Sequence, residues 1–430
     1  MKMKKIKINK TNEFLYYEKL KNGLEVYVLP NMYQKNYYIT FNTRFGSNNI
    51  EFKKNNETSY KKVPFGIAHF LEHLMFNMEN GSAFDFFSKL GSSVNAFTTY
   101  DLTCYEVFSS TYFKENLNYL LDYVQTPYFT EKLVNNEKCI IKEEINMYKN
   151  NPSTELTWGA YKNIFVKDNR KDLISGDIED IKKINVTNIM DCYETFYNPS
   201  NMFVIITGKV NPYEAISIIE ENQKNKTFDN VEITNKSFTE PQKVNTEYLE
   251  KEMNVETTKI SVSYKIPKKN FKKLDISDIE LNTYISLIFN ILYGVTSNIQ
   301  EKLISSKVIQ NGININKTNT KEYIVMSLTT ESEYPETVTK MINEEIEKIK
   351  IDENDLKRKI KVYKSNYLLH FDDIELVNNT IQDNIITYNK FLDNTLGLYD
   401  TINITTLNNI IKLLKNKSIS TYIIKPKTTK

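Results

Sequence analysis

Apolar and polar positions change period several times along the chain, and each change marks an element. Residues 22–30 (NGLEVYVLP) read as a turn followed by period-two alternation, which predicts a strand. Residues 37–44 have the same character, and the polar stretch 48–62 predicts a loop. After Pro64 and Gly66 the period lengthens, so 67–77 predicts an apolar helix. Residues 82–90 predict a short helix ended by Gly91. Residues 94–98 and 102–108 alternate as a hairpin does. Helical spacing returns at 113–124, 131–148, 154–165 and 187–196. A buried-strand pattern follows at 201–207, then a helix from Pro212 to about Glu221.

Residues 222–247 lose periodicity and are polar, which predicts a linker. Beyond it the outline repeats. Strands are predicted at 259–266, near 323–329 and at 420–424, and helices at about 277–293, 336–350 and 353–370. Each half runs strands, several helices, then a terminal strand. The expected fold class is therefore α+β: two duplicated α/β sandwich domains, each a mostly antiparallel sheet packed with helices. The expected division is 1–221, a linker at 222–247, and 248–430.

Composition narrows the function. The chain has 430 residues, 56 Lys+Arg against 54 Asp+Glu, and a formal net charge of +2. A phosphate-tracking protein needs a strong basic excess, so no nucleic-acid partner is expected. The arginines are Arg44, Arg170 and Arg358, which leaves little scope for planar two-pronged phosphate readout. Cys104, Cys139 and Cys192 are widely spaced, with no C-x-x-C, and read as reduced thiols of a cytoplasmic protein. The first residues (MKMKKIKINKTNEF) carry charge with no apolar stretch behind it, and no run approaches a membrane span, so no membrane partner is expected.

The informative segment is Gly66-Ile-Ala-His69-Phe-Leu-Glu72-His73-Leu-Met-Phe76. Two of the three histidines lie four residues apart, hence on one face of a helix about a turn apart. Two imidazoles at that spacing can grip one metal ion, and neutral imidazole suits zinc. Glu72, beside His73, is better placed to hold a water near the metal than to share the same bite. An i,i+4 histidine pair is by itself commonly surface or core decoration. Here histidine is scarce, and an apolar helix does not carry three polar groups on one face without a partner. A catalytic zinc wants a third protein ligand and an open position. The 131–148 helix offers Glu137, Glu143 and Glu144; Glu137 and Glu144 share a face, whereas Cys139 and Ile140 are expected toward the apolar stripe. Without the histidine pair those glutamates would read as a solvated face.

The segment G-x-A-H-F-L-E-H-L-x-F, followed by Gly91-Ser-Ser-Val-Asn95-Ala96-Phe97-Thr98, resembles the insulinase/pitrilysin/mitochondrial processing peptidase superfamily, the inverzincin zinc peptidases. The resemblance covers most of the first half and is closest to the two-subunit bacterial branch, on the chain that bears the zinc motif. It implies one zinc ion held by His69, His73 and Glu144, Glu72 as general base, and Glu137 as the acceptor that orients a ligating imidazole. It implies that Asn95, Ala96, Phe97 and Thr98 form the edge onto which a peptide substrate adds as a strand. The implied activity is zinc-dependent endopeptidase action on peptides or unfolded leader segments, with residues 1–221 as the catalytic domain and 248–430 as its non-catalytic homologue.

Relatives with a complete site carry an Arg and a Tyr in the later domain, directed at the substrate carbonyl. The matching stretch, Ser297–Gly312, contains neither. The resemblance therefore implies a heterodimer in which a homologous subunit supplies them, with a homodimer as the alternative. Arg358 reads as part of a solvated helix face, and His370 as incidental. A different class of function is a non-catalytic scaffold that kept the fold. A bound nucleotide is not indicated, because the phosphate-cradling glycine motifs are missing.

Overall fold

The computed structural model describes residues 3–55 and 57–427. These residues gather into two compact units, neither of them contiguous. The first takes the described residues up to Ile145, Leu173–Ser237 and Tyr367–Thr395. The second takes Asn146–Asp172, Phe238–Asn366 and the described residues from Leu396 onward. The units thus differ from a simple division at 222–247. Helix Pro152–Ile164 belongs with the second half, and helix Ile374–Tyr388 belongs with the first.

The first unit is built on a seven-stranded sheet. From one edge to the other its strands are Lys4–Lys7, Phe14–Lys19, Glu25–Pro30, Met202–Gly208, Tyr37–Thr43, Thr103–Ser109 and Ser93–Thr98. Neighbours are antiparallel except Met202–Gly208 beside Glu25–Pro30. Every residue of Tyr37–Thr43 and Met202–Gly208 is buried, so both faces of the sheet centre are covered. Ile39 and Phe41 join the core with helices Ile67–Met75, Phe113–Val124 and Pro212–Lys224. Thr40 and Asn42 alternate to the opposite face, where helix Ile374–Tyr388 supplies polar partners. Thr40 Oγ1 donates to Asn378 Oδ1 at 2.9 Å, and Gln382 Nε2 donates to Asn42 Oδ1 at 2.6 Å. Buried polar groups in a strand core are tolerated only when satisfied in this way.

The two edges of this sheet differ. At Lys4–Lys7 the outermost strand carries lysines, and Lys5 and Lys7 lie 4.1 and 4.5 Å from the Phe14 ring. Charge on an edge strand discourages further strand addition. At Ser93–Thr98 (SVNAFT) the outermost strand carries no charge.

In the second unit a five-stranded sheet runs Tyr248–Met253, Ser418–Pro426, Lys259–Pro267, Tyr323–Glu331, Asn314–Asn319, with only the first pair parallel. Helix Asp278–Tyr293 fills its core and opens with a capping box at Ser277. Helix Pro152–Ile164 packs against the Ser418–Pro426 strand through Gly159; a Cβ there would lie 2.2 Å from Tyr422 Cε1. The fold class is thus α+β, with two mostly antiparallel sheets packed with helices. Among the described residues no helix is long and apolar enough to cross a membrane.

Two polar stretches are more ordered than their patterns predict. Within 48–62, Glu51–Lys54 is a strand paired with Lys61–Lys62 and with Ile233–Asn235. It buries Phe52 alone, so no alternation announces it. Residues 222–247 are not a free linker. The preceding helix runs to Lys224, 233–235 is a strand, and Glu240 is clamped. Its carboxylate accepts from the backbone N–H groups of Val166, Lys167 and Asp168 and from Lys265 Nζ at 2.6 Å. Burial alone would raise the Glu240 pKa, yet the Lys265 ammonium and three aligned amides hold it below the usual carboxylate value.

Candidate metal centre

The site begins with a helix that is apolar nearly all round. Ile67–Met75 buries Ile67, Ala68, Phe70, Leu71, Leu74 and Met75 together with His69 and Glu72. Such a helix must sit inside a core. Its start depends on Gly66, whose φ of +80° favours glycine. A Cβ there would meet the Ser175 carbonyl oxygen at 2.1 Å, so the same glycine lets the helix start lie against the 175–176 backbone.

The second element is helix Glu131–Asn150. Val134, Glu137, Ile141 and Ile145 are its buried positions, spaced as one helical stripe. Glu137 lies within that stripe and Glu144 beside it. Cys139 and Ile140, expected toward the stripe, are exposed; Ile140 shows 56% of its surface. The buried stripe runs through Glu137 and Ile141, so the residues between them on the next turn face outward. Glu143 is exposed.

The two helices bring His69, His73 and Glu144 together, with one ligand atom from each within 4.8 Å of the others. His69 Nε2 is 3.5 Å from Glu144 Oε1, and His73 Nε2 is 3.5 Å from Glu144 Oε2. These distances are long for an N–H···O bond. They match the edge of a tetrahedron: two ligands about 2.05 Å from a common atom lie about 3.3 Å apart. The far nitrogen of His73, Nδ1, is 2.8 Å from Glu137 Oε1, which leaves Nε2 directed at Glu144. His69 Nδ1 is buried with no hydrogen-bond partner among the described residues. Two imidazole nitrogens and a carboxylate in this arrangement fit zinc in donor type and spacing.

Electrostatics within the cluster run in both directions. Burial raises the Glu72 pKa above the usual carboxylate value, against the pull of His69, of a hydrogen bond from Thr98 and of His73; Glu144 raises it further. For His73 burial favours the neutral ring, but the Glu137 hydrogen bond and the charges of Glu72, Glu137 and Glu144 outweigh it, and the pKa rises. The pocket is rich in negative charge and accommodates a cation.

All four residues expected to form the substrate edge lie on the outermost strand Ser93–Thr98, which among the described residues pairs on one side, with Thr103–Ser109. Val94 and Ala96 pack on the core, and Asn95 Nδ2 donates to Glu106 Oε1 at 3.2 Å. Thr98 Oγ1 donates to Glu72 Oε2 at 2.6 Å. The sequence does not announce that contact, because 26 residues separate the partners and neither period relates them.

In the second half, Ser297 caps helix Asn298–Ser305. Arg358 is exposed on its helix, as a solvated face requires; it pairs with Asp355 three residues away, and its Nη1 donates to Thr296 Oγ1 at 2.9 Å. His370 is partly buried, 3.1 Å from Thr380 Oγ1 through Nδ1.

Comparison with known proteins adds the family. Residues 56–172 match the model described as insulinase (peptidase family M16), and 183–363 match the M16 inactive domain. A Bacillus subtilis protein named uncharacterized zinc protease YmfH is 40% identical over 302 residues, 70% of each chain. An Escherichia coli protein named probable zinc protease PqqL is 26% identical, over 49% of this chain and 23% of its own length. Among solved structures, an M16-like peptidase from Alicyclobacillus acidocaldarius superposes with a TM-score of 0.90 at 24% identity, covering 98% of this chain and 100% of its own. A Helicobacter pylori protease superposes with a TM-score of 0.79 at 19% identity, covering 95% and 99%. These two likenesses concern the fold; the similarity to YmfH and the two matched models carry the assignment, and the chain belongs to peptidase family M16, the insulinase family.

Proposed function

We propose that this chain is a zinc metalloendopeptidase that cleaves extended peptides or unfolded leader segments, acting as the metal-bearing member of a pair of homologous subunits. The observation that carries the reading is the convergence of His69, His73 and Glu144 within 4.8 Å, with Glu72 on the same helix. His69 and His73 would hold the ion through Nε2 and Glu144 through its carboxylate. Zinc bound there supplies a Lewis acid that acidifies a water and polarises a peptide carbonyl.

The remaining work falls to the chain. Glu72 takes the proton of the attacking water and returns it to the departing amine. Glu137 accepts from His73 Nδ1–H and so keeps Nε2 free for the metal. Residues Asn95–Thr98 offer one unpaired row of backbone groups, onto which a substrate in extended form adds as a further strand. Folded substrates cannot present such a strand.

The lack of Arg and Tyr in Ser297–Gly312 supports completion by a partner that donates to the tetrahedral oxyanion. A heterodimer is favoured, because a homodimer would repeat the deficit. The free cysteines support a cytoplasmic setting.

The match of 183–363 to a domain described as inactive favours a second reading, a non-catalytic subunit that binds a partner. That match leaves out the helix Ile67–Met75. Substitution Glu72→Gln separates the two readings. A peptidase loses at least about 100-fold in cleavage of a quenched peptide while keeping its zinc, measured by metal analysis. Wild-type chain that binds no zinc, or an E72Q variant with undiminished cleavage, refutes the enzyme.

A further inference from the structure

We infer that Thr98 is a positioning residue for Glu72, tying the substrate-accepting edge strand to the general base. The inference rests on the proposed function and concerns how its base is held.

Strand alternation sends Val94 and Ala96 toward the helical layer, and Thr98 continues that series. Its hydroxyl therefore arrives above the helix Ile67–Met75, 2.6 Å from Glu72 Oε2. Glu72 is only 6% exposed, so a hydrogen bond to its carboxylate is a strong constraint on its orientation. The hydroxyl inventory assigns the direction. Thr103 Oγ1 donates its one hydrogen to the Phe45 carbonyl at 2.8 Å. Thr103 therefore has no hydrogen for Thr98 Oγ1, 3.3 Å away, and because an ionised carboxylate can only accept, Thr98 is the donor to Glu72 at the much shorter 2.6 Å.

A methyl in place of the hydroxyl can make no such bond to the carboxylate. Because Thr98 stands on the strand that receives the peptide, the orientation of the base and the position of the bound backbone are fixed by one residue.

The test compares zinc-loaded full chains, wild type, Thr98→Val and Thr98→Ser, each co-expressed with its homologous partner subunit, on a quenched extended peptide. Loss of the hydroxyl should lower kcat by about 10-fold or more, as misplacement of a catalytic group does. KM should stay within about 2-fold, and T98S, which keeps the hydroxyl, should stay within about 3-fold of wild type in kcat. Zinc content should be equal in all three. The inference is overturned if T98V retains wild-type kcat, if only KM rises, or if T98S falls as far as T98V. Should T98V fail to fold, Thr98→Ala removes the hydroxyl without setting a methyl against the carboxylate, and is judged alike. Crystal structures of the variants give a readout independent of turnover. The Glu72 carboxylate should move by more than roughly 0.5 Å in T98V but not in T98S. If wild type cleaves nothing, the proposed function fails alone, and an unmoved carboxylate in T98V then defeats the positioning role separately.

Discussion

At the scale of single residues, the candidate centre is a balance between burial and charge. Three carboxylates and two imidazoles share a largely buried space, and each group is tolerable only because another partner compensates it. Glu137 shows the division of labour. It cannot reach the face of His73 that meets Glu144, but at 2.8 Å it holds the opposite ring nitrogen. A Glu137→Gln variant keeps the shape and removes the charge that favours His73 Nδ1–H. It should weaken zinc binding by roughly 10- to 100-fold, read by competition with a chromophoric chelator, while the fold survives in circular dichroism. An unchanged zinc affinity would mean that the His73 tautomer is set some other way.

At the scale of elements, the fold places small or satisfied residues where backbones meet. Gly159 is the sharpest case in the second unit. Replacing it with alanine should favour the helix by up to about 1 kcal/mol on propensity alone. Against that, the new methyl would meet the Tyr422 ring at 2.2 Å, and the ring is held by its hydroxyl, which donates to Glu155 at 2.7 Å. Overpacking of this kind costs about 1–3 kcal/mol, so the packing effect should win and Gly159→Ala should lower stability in urea unfolding. A stabilised variant would show that the ring moves freely. The sheet edges of the first unit follow a related logic: lysines guard Lys4–Lys7, while Ser93–Thr98 beside the candidate centre is left open.

For the whole molecule, the exchange of helices matters more than the apparent duplication. The first sheet buries Thr40, Asn42 and Thr207 beneath helix Ile374–Tyr388, which lies some 140 residues further along than the rest of that unit. A fragment of residues 1–237 would leave that face, which also carries the fully buried Phe203 and Ile205, uncovered. It should be poorly soluble or bind a hydrophobic dye strongly, whereas the full chain should not. A fragment that stays monomeric with a cooperative thermal transition would make the first half autonomous. The family match and the second reading of the function also belong to this scale, because residues 183–363 bridge both units.

Much of the architecture was legible from periodicity. Ile67–Met75, the hairpin that carries Ser93–Thr98, and the long helix Glu131–Asn150 were all announced by patterns that depend on neighbours within one or two turns. The spacing of His69, Glu72 and His73 is equally local, so the chain itself determines that these groups share one helix face. What lay beyond the sequence depends on contacts between distant segments. The Glu51–Lys54 strand buries one side chain and shows no period, and its pairing with Ile233–Asn235 comes from tertiary packing. The exposure of Ile140 was settled by which stripe of its helix the core selected. The meeting of Thr98 with Glu72, and of Glu144 with both imidazoles, required two helices and a sheet edge to be assembled first. Local spacing determines which residues can act together within an element; only the packed fold decides which elements face one another.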